Sequence, residues 1–586
     1  MQNQTNQFIP ASRAEMKQNK WDAVDIVLVT GDAYIDHPSF GVALIARWLE
    51  AHGYRVAILA QPEHNSSEDF KRFGRPALFF GITAGNLDSI VANYTGNAKV
   101  RDQDNYSPLG NPYFGDDKNK TRRRRPDRAT IRYTNLAKAA YPDVPVILGG
   151  IEASLRRFIH FDYQQDKIRN SVLTDAKADL LVYGMGERAV LEIASRRSQG
   201  KSLAEIDGTC ERLTDKEIEL RTQNIDSVVL PGWQEIHADL PKFMAAEKLI
   251  DTYSRSLENI SIIQKQQAMW VLQHPPPPPL DTQEMDFLYS LPYTRLPHPA
   301  NKGNIPAYAM VRDSVTIVRG CYGNCSFCAI SRHQGPIIST RSKMSIIKEL
   351  EKIALSKDFK GTISDLGGPS ANMYGTSCAS PNPCKRHDCL NPGLCKHLRI
   401  DENQFLQLLS EATSVKGIKN VFISSGMRME LLLKTPKLLK KLISENTPGL
   451  MKIAPEHSQT EILRLMHKNG STLLAEFLKT CRETAQAAHK TIGFSPYYIA
   501  SHPGSTISDM EKLAISIQEN GLTVKHFQDF TPTPGTLSTA MYVTGLDRDT
   551  LKPIFVPRHK RQRLAQRNIL EKISLRNKSV RIKKTR

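Results

Sequence analysis

Blocks of apolar residues separated by polar loops predict an α/β domain in the first third of the chain. Apolar runs at 26–29 and 56–59 flank an amphipathic stretch at 43–51. A strand, a helix and a second strand of these lengths indicate parallel pairing through a right-handed crossover. Further apolar runs follow at 78–82, 144–148 and 180–183. We therefore expect an open parallel α/β sheet domain over residues 20–200.

Polar loops follow these predicted strands at their carboxyl ends, where ligands usually bind in an open α/β sheet. The loop GDAYIDHPSFG at 31–41 does not fit the Asp-x-His-x-x-Gly signature of cobalamin-binding domains, because His37 directly follows Asp36. The segment GMGE at 184–187 lacks the spacing of a dinucleotide fingerprint. Neither cobalamin nor NAD is predicted, and the ligand of this domain stays open.

A proline-rich break separates the first domain from a second alternating block. Residues 201–300 are charged and helix-like, and their five consecutive prolines at 275–279 favour a semi-rigid polyproline II spacer. Strand patterns then recur at 314–318, 361–365, 420–424, 450–453, 491–499 and 524–531, with helical patterns between them. This alternation predicts a (β/α) partial barrel over residues 301–557, with functional groups at the carboxyl ends of its strands.

Positive charge is concentrated near the end of the chain. The formal net charge is +19, and residues 558–586 hold twelve Lys or Arg and one Glu, a net charge of +11. A second basic run, TRRRRPDR, lies in a predicted loop at 121–128. We expect both runs to be solvated, and the tail to be disordered, with RNA or ribosome contact as the alternative.

Hydropathy and cysteine content restrict the setting of the protein. No run of eighteen apolar residues occurs, and residues 1–20 lack the apolar centre of a signal peptide. We therefore expect a cytoplasmic protein that does not contact membranes. Nine cysteines in 586 residues indicate reduced thiols, metal ligation or catalysis rather than a disulfide framework.

Three of these cysteines lie in the segment CYGNCSFCAI at 321–330, directly after the first predicted barrel strand. Cys321, Cys325 and Cys328 offer three thiolates, whereas an iron–sulfur cubane normally uses four. Three thiolates would leave one iron open to an exogenous ligand. The alternatives are a zinc site completed by a distant residue such as His333, or an electron-transfer cluster with a fourth protein ligand.

The Cys-x3-Cys-x2-Cys spacing, with aromatic Phe327 before the last cysteine, resembles the signature of the radical S-adenosylmethionine superfamily. The resemblance implies that the three thiolates hold a 4Fe-4S cluster whose fourth iron binds S-adenosylmethionine. Reductive cleavage of this cofactor then gives a 5′-deoxyadenosyl radical that takes hydrogen from a substrate. Together with GDAYIDHPSFG, GGIEASLRRF and LPYTRLPHP, the loop is similar to the YgiQ-type proteins of that superfamily, whose substrate is unsettled.

The resemblance also implies residues that contact the cofactor. Gly367 and Gly368 match the Gly-Gly of the Gly-Gly-Glu motif that binds its amino group, but Pro369 replaces the acidic residue. Glu456 or His457, after the fourth strand, would approach the adenosyl group. Catalytic acid or base residues are not assigned, because neither of these has an identifiable proton-transfer partner in the sequence.

A second group of cysteines lies in the proline- and asparagine-rich insert at 378–397. It contains four cysteines with two interleaved histidines: Cys378, Cys384, Cys389, Cys395, His387 and His397. The insert has no apolar periodicity, so a bound metal could supply its folding free energy. We expect zinc or an auxiliary iron–sulfur cluster there, with free reduced thiols as the alternative. The isolated Cys210 and Cys481 are expected to be buried apolar residues.

These patterns together predict a radical S-adenosylmethionine enzyme that modifies an unknown substrate. A reductant such as flavodoxin or ferredoxin would supply electrons, and the basic charge slightly favours a nucleic-acid or nucleotide substrate. The alternative function is a zinc-stabilised RNA-binding protein without radical chemistry, in which all the cysteines are structural.

Overall fold

The computed structural model describes residues 8–115, 120–255, 258–380, 384 and 388–584. The chain forms two compact units. The first contains the described residues up to Ser254, then Glu258–Pro279 and Phe287–Arg312, and the second contains Arg255, Leu280–Asp286 and the described residues from Asp313 onward. Within these ranges, no helix combines the length and apolar character needed to span a bilayer.

The first unit alternates strands and helices. Its elements are α1 (Arg13–Gln18), β1 (Ile26–Thr30), α2 (Gly41–Ala51), β2 (Val56–Ala60), β3 (Phe79–Thr83), α3 (Ser89–Asn93), α4 (Ala129–Ala140), β4 (Val146–Leu148), α5 (Gly150–Leu155), β5 (His160–Asp162), β6 (Lys167–Arg169), α6 (Val172–Ala176), β7 (Leu180–Val182), α7 (Glu187–Ser198), β8 (Thr209–Leu213), α8 (Asp215–Thr222), β9 (Ser227–Leu230), α9 (Trp233–Ala238), α10 (Pro241–Tyr253), β10 (Ser261–Lys265), β11 (Trp270–Gln273), α11 (Thr282–Ser290), whose first residues belong to the second unit, and α12 (Pro306–Val311).

Nine of these strands form one sheet in the order β2-β1-β3-β4-β7-β8-β11-β10-β9. The five strands from β2 to β7 are parallel, with β1 between β2 and β3. All five residues of β1 are buried, as expected for a strand covered on both faces. The expected α/β fold with a large, mostly parallel sheet is confirmed.

The helical prediction for the connecting region 201–300 needs correction. Residues 209–273 contribute β8, β9, β10 and β11 to the same sheet. Leu181 of β7 pairs with Cys210 of β8, and Ile262 and Val271 are fully buried. β8 and β9 pair with strands distant in sequence, whereas β10 and β11 pair with each other across residues 266–269. The apolar runs of that hairpin are short and flanked by polar residues, so they were not recognised as strands.

The second unit contains the predicted barrel. Its elements are β12 (Ser314–Thr316), β13 (Val318–Arg319), α13 (Ile330–Gln334), β14 (Ser339–Thr340), α14 (Lys343–Ala354), β15 (Thr362–Ile363), β16 (Asp365–Gly367), β17 (Thr376–Cys378), β18 (Leu398–Ile400), α15 (Glu402–Ser414), β19 (Asn420–Val421), α16 (Met429–Leu432), α17 (Pro436–Lys441), β20 (Leu450–Glu456), α18 (Thr460–Leu465), α19 (Thr472–Ala487), β21 (Gly493–Ala500), α20 (Ile507–Glu519), β22 (His526–Asp529), α21 (Leu537–Thr544) and α22 (Lys560–Lys584).

Strands occur at all six positions predicted for the partial barrel. β12 pairs with β16, β15 pairs with β19, and β20, β21 and β22 form a three-stranded group, all in parallel. Leu366 N donates to Phe422 O at 3.0 Å, which extends the contact between the second and third strand regions. Parallel strands with helices between them bring the carboxyl-end loops to one side of the unit.

Residues 560–584 of the basic tail form α22, in contrast to the disorder expected from the sequence. Leu570 and Ile573 are buried in the apolar core of the barrel. The buried Gln566 accepts from Ser501 N at 2.9 Å and donates to Ser505 O at 2.6 Å. Burial of these side chains stabilises a segment whose charge alone would favour the unfolded chain.

Candidate functional site

The loop of Cys321, Cys325 and Cys328 begins immediately after β13 at Gly320. Gly320 has a φ of 84°, and a Cβ atom there would lie 2.0 Å from Ile337 O. Because side chains rarely adopt this conformation and no space exists for one, the sharp turn requires glycine. Cys321 N then donates to Gly335 O at 3.1 Å, which closes the loop onto the end of α13.

Ser326, between the second and third cysteines, anchors the loop to the rest of the barrel. It is buried, its backbone N donates to Met466 O at 3.0 Å, and its Oγ donates to Leu465 O at 2.5 Å. Its own carbonyl accepts from Ser538 N at 2.8 Å. The loop is therefore fixed by contacts at the ends of α18 and the start of α21, far along the chain.

His502 follows the carboxyl end of β21 and contacts Ser538, the residue whose backbone N–H binds Ser326. His502 Nδ1 donates to Pro503 O at 2.7 Å, and its Nε2 lies 2.7 Å from Ser538 Oγ. Burial lowers the pKa of His502 to about 3. The ring is therefore neutral near pH 7, with Nε2 available to accept a hydrogen bond from the Ser538 hydroxyl. Its edge-to-face contact with Phe327 adds a further support for the loop.

Arg428 is the charged side chain at the thiols. Its Nη1 lies 3.5 Å from Cys325 Sγ, and its Nη2 lies 3.7 Å from Cys321 Sγ and 3.5 Å from Cys325 Sγ. Burial by itself lowers the pKa of Arg428, but Cys325 and Cys321 outweigh that effect and raise it. A Cβ atom at Gly323 would lie 2.0 Å from Arg428 Nη2, so any side chain at position 323 would collide with the guanidinium.

The three thiols differ in exposure, since Cys321 is buried whereas Cys325 and Cys328 are half-buried. Burial raises the pKa of Cys328 to about 12, with Cys325 and Cys321 adding to the shift. Among the described residues, no three Cys, His, Asp or Glu side chains converge on a position for a single ion. A cubane cluster bonds each thiolate to a different iron, so it does not require such convergence. Three thiolates bound in this way would leave the fourth iron of such a cluster open to another ligand.

Gly367 and Gly368 lie where the second strand of the barrel ends. A Cβ atom at Gly367 would lie 2.4 Å from Asp365 Oδ2, and one at Gly368 would lie 2.4 Å from Val318 O. Asp365 Oδ1 accepts from Ser424 N at 2.7 Å and from Ser425 N at 3.0 Å. Both glycines are thus required for close packing, whatever ligand they contact.

Glu456 is the last residue of the fourth strand, β20, and His457 directly follows it. Glu456 has a φ of 66°, and burial raises its pKa against the opposing effect of Lys468, whose Nζ lies 3.8 Å from Glu456 Oε1. Burial lowers the pKa of His457 to about 4. Within the described part of the chain, His457 Nε2 has no hydrogen-bond partner. His457 borders a cleft with Ser458 and Asn469.

The cysteine-rich insert contacts the first cysteine loop through its backbone. Cys389 N donates to Tyr322 O at 3.3 Å, and Leu390 packs in the same apolar core as Cys321 and Tyr322. All four insert cysteines are described, whereas the interleaved His387 lies outside the described residues. The isolated Cys210 and Cys481 are buried, as expected.

The carboxyl edge of the nine-stranded sheet carries a different arrangement. Arg125, from the basic run at 121–128, is fully buried and donates from Nη2 to Asp32 Oδ1 at 2.6 Å. Its Nη1 lies 3.1 Å from Asp104 Oδ2. Burial raises the pKa of Asp32 to about 6, and Arg125 opposes this shift. The run is therefore not fully solvated as expected, because the protein's own carboxylates hold one of its arginines.

A second buried group lies beside the first. Arg156 donates to Asp88 at 2.6 Å from Nε and at 3.0 Å from Nη2. Glu152 accepts from Ser89 N at 2.7 Å and from Thr130 Oγ1 at 2.6 Å. These contacts join α3, α4 and α5 at the end of the sheet where a ligand would normally bind. The side chains there are paired with one another.

Comparison with known sequences assigns the chain to a family. A UPF0313 protein of Geobacter sulfurreducens is 44% identical over 569 residues, which cover 96% of this chain and 92% of that protein. A UPF0313 protein of Thermotoga neapolitana is 45% identical over 562 residues, which cover 94% of this chain and 96% of that protein. The chain belongs to the UPF0313 family. The profile described as Radical SAM N-terminal also matches residues 8–314 of this UPF0313 protein.

These matches confirm the predicted resemblance and make this UPF0313 protein a radical S-adenosylmethionine enzyme. They favour an enzyme over the zinc-stabilised RNA-binding protein considered from the sequence. The profile ends before Cys321, so it does not bear on the roles of the thiols. A solved radical S-adenosylmethionine methyltransferase, TsrM from Kitasatospora setae, is 15% identical at a TM-score of 0.49 and covers 87% of this chain and 74% of that chain. That likeness is too distant to carry an argument.

Sequence reasoning found the thiols of this UPF0313 protein but missed the residues that hold them. Arg428 and Ser538 contact the loop from 103 and 212 positions away. The segment SSGMR at 424–428, after a predicted strand, is a signal that could have drawn attention to Arg428. Nothing local distinguishes Ser538, because its role depends on the fold alone.

Proposed function

We propose that this UPF0313 protein holds a 4Fe-4S cluster through Cys321, Cys325 and Cys328 and binds S-adenosylmethionine at the iron that the protein leaves open. The observation that carries the proposal is a loop of three thiols, two of them in contact with Arg428, placed at the carboxyl end of the first barrel strand. When bound, the cluster and cofactor supply a 5′-deoxyadenosyl radical that modifies the substrate.

The residues around the loop keep the thiols in place and balance their charge. Hydrogen bonds from Ser326 to Met466 and Leu465 fix the backbone between the second and third cysteines. Arg428 places a positive charge 3.5 Å from Cys325 Sγ and 3.7 Å from Cys321 Sγ, where it offsets the negative charge of metal-bound sulfurs. A metal-binding thiol must lose its proton, so this charge favours ligation.

The end of the second strand would receive the amino group of S-adenosylmethionine. Gly367 and Gly368 keep side chains out of this position, since Cβ atoms would overlap Asp365 and Val318. Pro369 has no acidic group to accept a hydrogen bond from the ligand. We assign the acidic role to Asp365, whose carboxylate adjoins Gly367 at the same strand end.

The remaining partners are also proposals. A low-potential protein such as flavodoxin or ferredoxin supplies the electrons. RNA or ribosome contact through residues 558–586 would have to use the outer side of α22, because Leu570 and Ile573 are buried.

Anaerobic reconstitution with iron and sulfide tests the cluster. Replacing Cys321, Cys325 and Cys328 together with alanine should remove about four irons per chain relative to the unmodified protein and abolish formation of 5′-deoxyadenosine. The matched control replaces Cys210 and Cys481 with alanine and should leave the iron content unchanged. Equal iron in the triple variant, or a reduced cluster that leaves S-adenosylmethionine intact, would overturn the proposal.

A further inference from the structure

The start of α22 lies across the carboxyl ends of the last two barrel strands. The buried Arg563 donates to Phe530 O, directly after β22. The buried Gln566 accepts from Ser501 N at 2.9 Å, directly after β21. The cysteine loop at 321–330 follows the carboxyl end of the first strand, and the carboxyl ends of parallel barrel strands lie on one side. The start of α22 and the cysteine loop therefore share one rim of the barrel.

Helix α21 connects the segment before α22 to the cysteine loop. In its first turn, Ser538 N donates to Ser326 O at 2.8 Å, which anchors the loop. In its last turn, Val543 O accepts from Arg558 Nη2 at 2.6 Å. A helix rises about 7.5 Å over the five residues from Ser538 to Val543. Arg558 is thus held less than two helical turns from the anchor of the loop.

This part of the rim carries exposed positive charge. Residues 550–561, TLKPIFVPRHKR, contain four Lys or Arg and no Asp or Glu, and we call them the rim segment. Its four cations are exposed, and in the described part of the chain none of them forms an ion pair: Lys552, Arg558, Lys560 and Arg561. Cations without ion-pair partners on one short segment create a local positive field that attracts a polyanion.

The carboxylates that precede the rim segment are paired elsewhere. Asp549 Oδ2 lies 2.7 Å from Arg464 Nη1, and Asp547 accepts from the same guanidinium. Two apolar side chains are exposed among the cations, since Phe555 is 42% exposed and Leu551 is 51% exposed. Single-stranded nucleic acids bind surfaces of this composition, because their phosphates contact cations while their bases stack on aromatic rings.

We propose that the rim segment binds single-stranded RNA and holds it beside the cysteine loop. RNA binding stands on the charge and the place of the segment, while delivery of the RNA to a radical rests on the proposed function. A lipid surface is the less favoured polyanion. Pro553 and Pro557 interrupt the stretch before α22, so it lacks the continuous apolar helix face that lies in a membrane.

Equilibrium binding of a fluorescently labelled, unstructured RNA tests the surface in the full chain. The surface variant replaces Lys552, Arg558, Lys560 and Arg561 with glutamine. Its affinity should fall at least about tenfold, and the slope of log affinity against log salt should fall by about 3, since four phosphate contacts are lost. A triple variant that keeps Arg558, with its bond to Val543, should still lower the slope by about 2.

The matched control removes the same charge from the opposite end of the barrel. Four exposed lysines precede β15, β19 and β22: Lys357, Lys360, Lys416 and Lys525. Their replacement with glutamine should leave the affinity and the salt slope unchanged. Equal weakening in both variants would show a response to net charge alone and would overturn the proposal. Unchanged RNA binding in the surface variant, with lost binding to phosphatidylglycerol vesicles, would overturn it in favour of a membrane.

Photo-cross-linking locates the bound RNA and separates this inference from the proposed function. RNA that carries 4-thiouridine should cross-link to peptides from the rim segment and from the cysteine loop, because both lie on one rim. Cross-links confined to the opposite end of the barrel would contradict the placement. A reconstituted protein that forms 5′-deoxyadenosine but does not bind RNA would overturn this inference alone. One that binds RNA at the rim but leaves S-adenosylmethionine intact would overturn the proposed function and the delivery step, while RNA binding would stand.

Discussion

The carboxyl ends of the nine-stranded sheet and of the barrel are equivalent places in two α/β architectures, yet the chain fills them differently. At the sheet, Arg125 lies between Asp32 and Asp104, and Arg156 is paired with Asp88. At the barrel, glycines and backbone hydrogen bonds hold a loop of thiols. At the first edge the charged side chains are paired with one another, whereas the second edge displays the thiols for which we propose a metal cluster.

This difference indicates that the paired charges at the sheet edge have a structural role, whereas the thiols at the barrel edge have a functional one. A buried ion pair contributes little net stability, but removal of one partner leaves an uncompensated charge. The sheet edge should therefore respond to substitution through stability, and the barrel edge through metal binding and redox potential. The following predictions test this division, beginning with the largest expected effect.

Replacing Arg125 with leucine should destabilise the first unit by about 3–5 kcal/mol, because two buried carboxylates lose their partner. Asp32 already has a pKa raised to about 6, above its unfolded value, so its ionisation lowers stability as pH rises through that range. Without Arg125 the pKa rises further, and the loss should be larger at pH 8 than at pH 5. Denaturant unfolding at the two pH values measures this.

The sheet comparison has two internal controls. Adding Asp32→Asn to Arg125→Leu should restore part of the stability at pH 8, since one unpaired charge is removed. Arg75 and Asp143 form an exposed pair, and Arg75→Ala should leave the unfolding midpoint unchanged. A loss in Arg125→Leu that is small or independent of pH would mean that the edge is not held by its buried charges.

Replacing Arg428 with glutamine should lower the reduction potential of the cluster by about 60–130 mV, the equivalent of roughly 1.5–3 kcal/mol for a hydrogen bond to a charged group. The guanidinium lies 3.5 Å from Cys325 Sγ, so its removal takes a positive charge from the thiolates. A redox titration followed by electron paramagnetic resonance measures the shift. Arg428→Lys should shift the potential less, because it keeps the charge; equal shifts in both variants would contradict the charge argument.

Replacing His502 with glutamine should alter the pH dependence of barrel stability. The folded pKa of about 3 lies below the unfolded value, so this histidine's contribution is complete above pH 6.5 and is lost as pH falls. Unfolding at pH 7 and pH 5 should show the advantage of the unmodified protein shrinking by about 1 kcal/mol per pH unit. The exposed His489→Gln serves as the control. An advantage that does not change with pH would show that His502 is not buried as a neutral ring.

The parts of the fold that could be predicted are those with local signals. The alternating apolar runs predicted all six barrel strands, and the parallel strands near 26–30 and 56–60. β10 and β11, which pair with each other across residues 266–269, were missed because their apolar runs are short, and β8 and β9 were missed because their partners lie far along the chain. The tail was missed for the same reason, since Leu570 is buried only through contacts with the folded barrel.

By itself, the sequence determined the spacing of Cys321, Cys325 and Cys328 and their place after the first barrel strand, because both are properties of neighbouring residues. The tertiary structure alone decided that Arg428 would lie against these sulfurs and that Arg125 would turn inward to Asp32. Charged side chains are found buried when distant residues offer a partner, and such partners come together only when the chain folds.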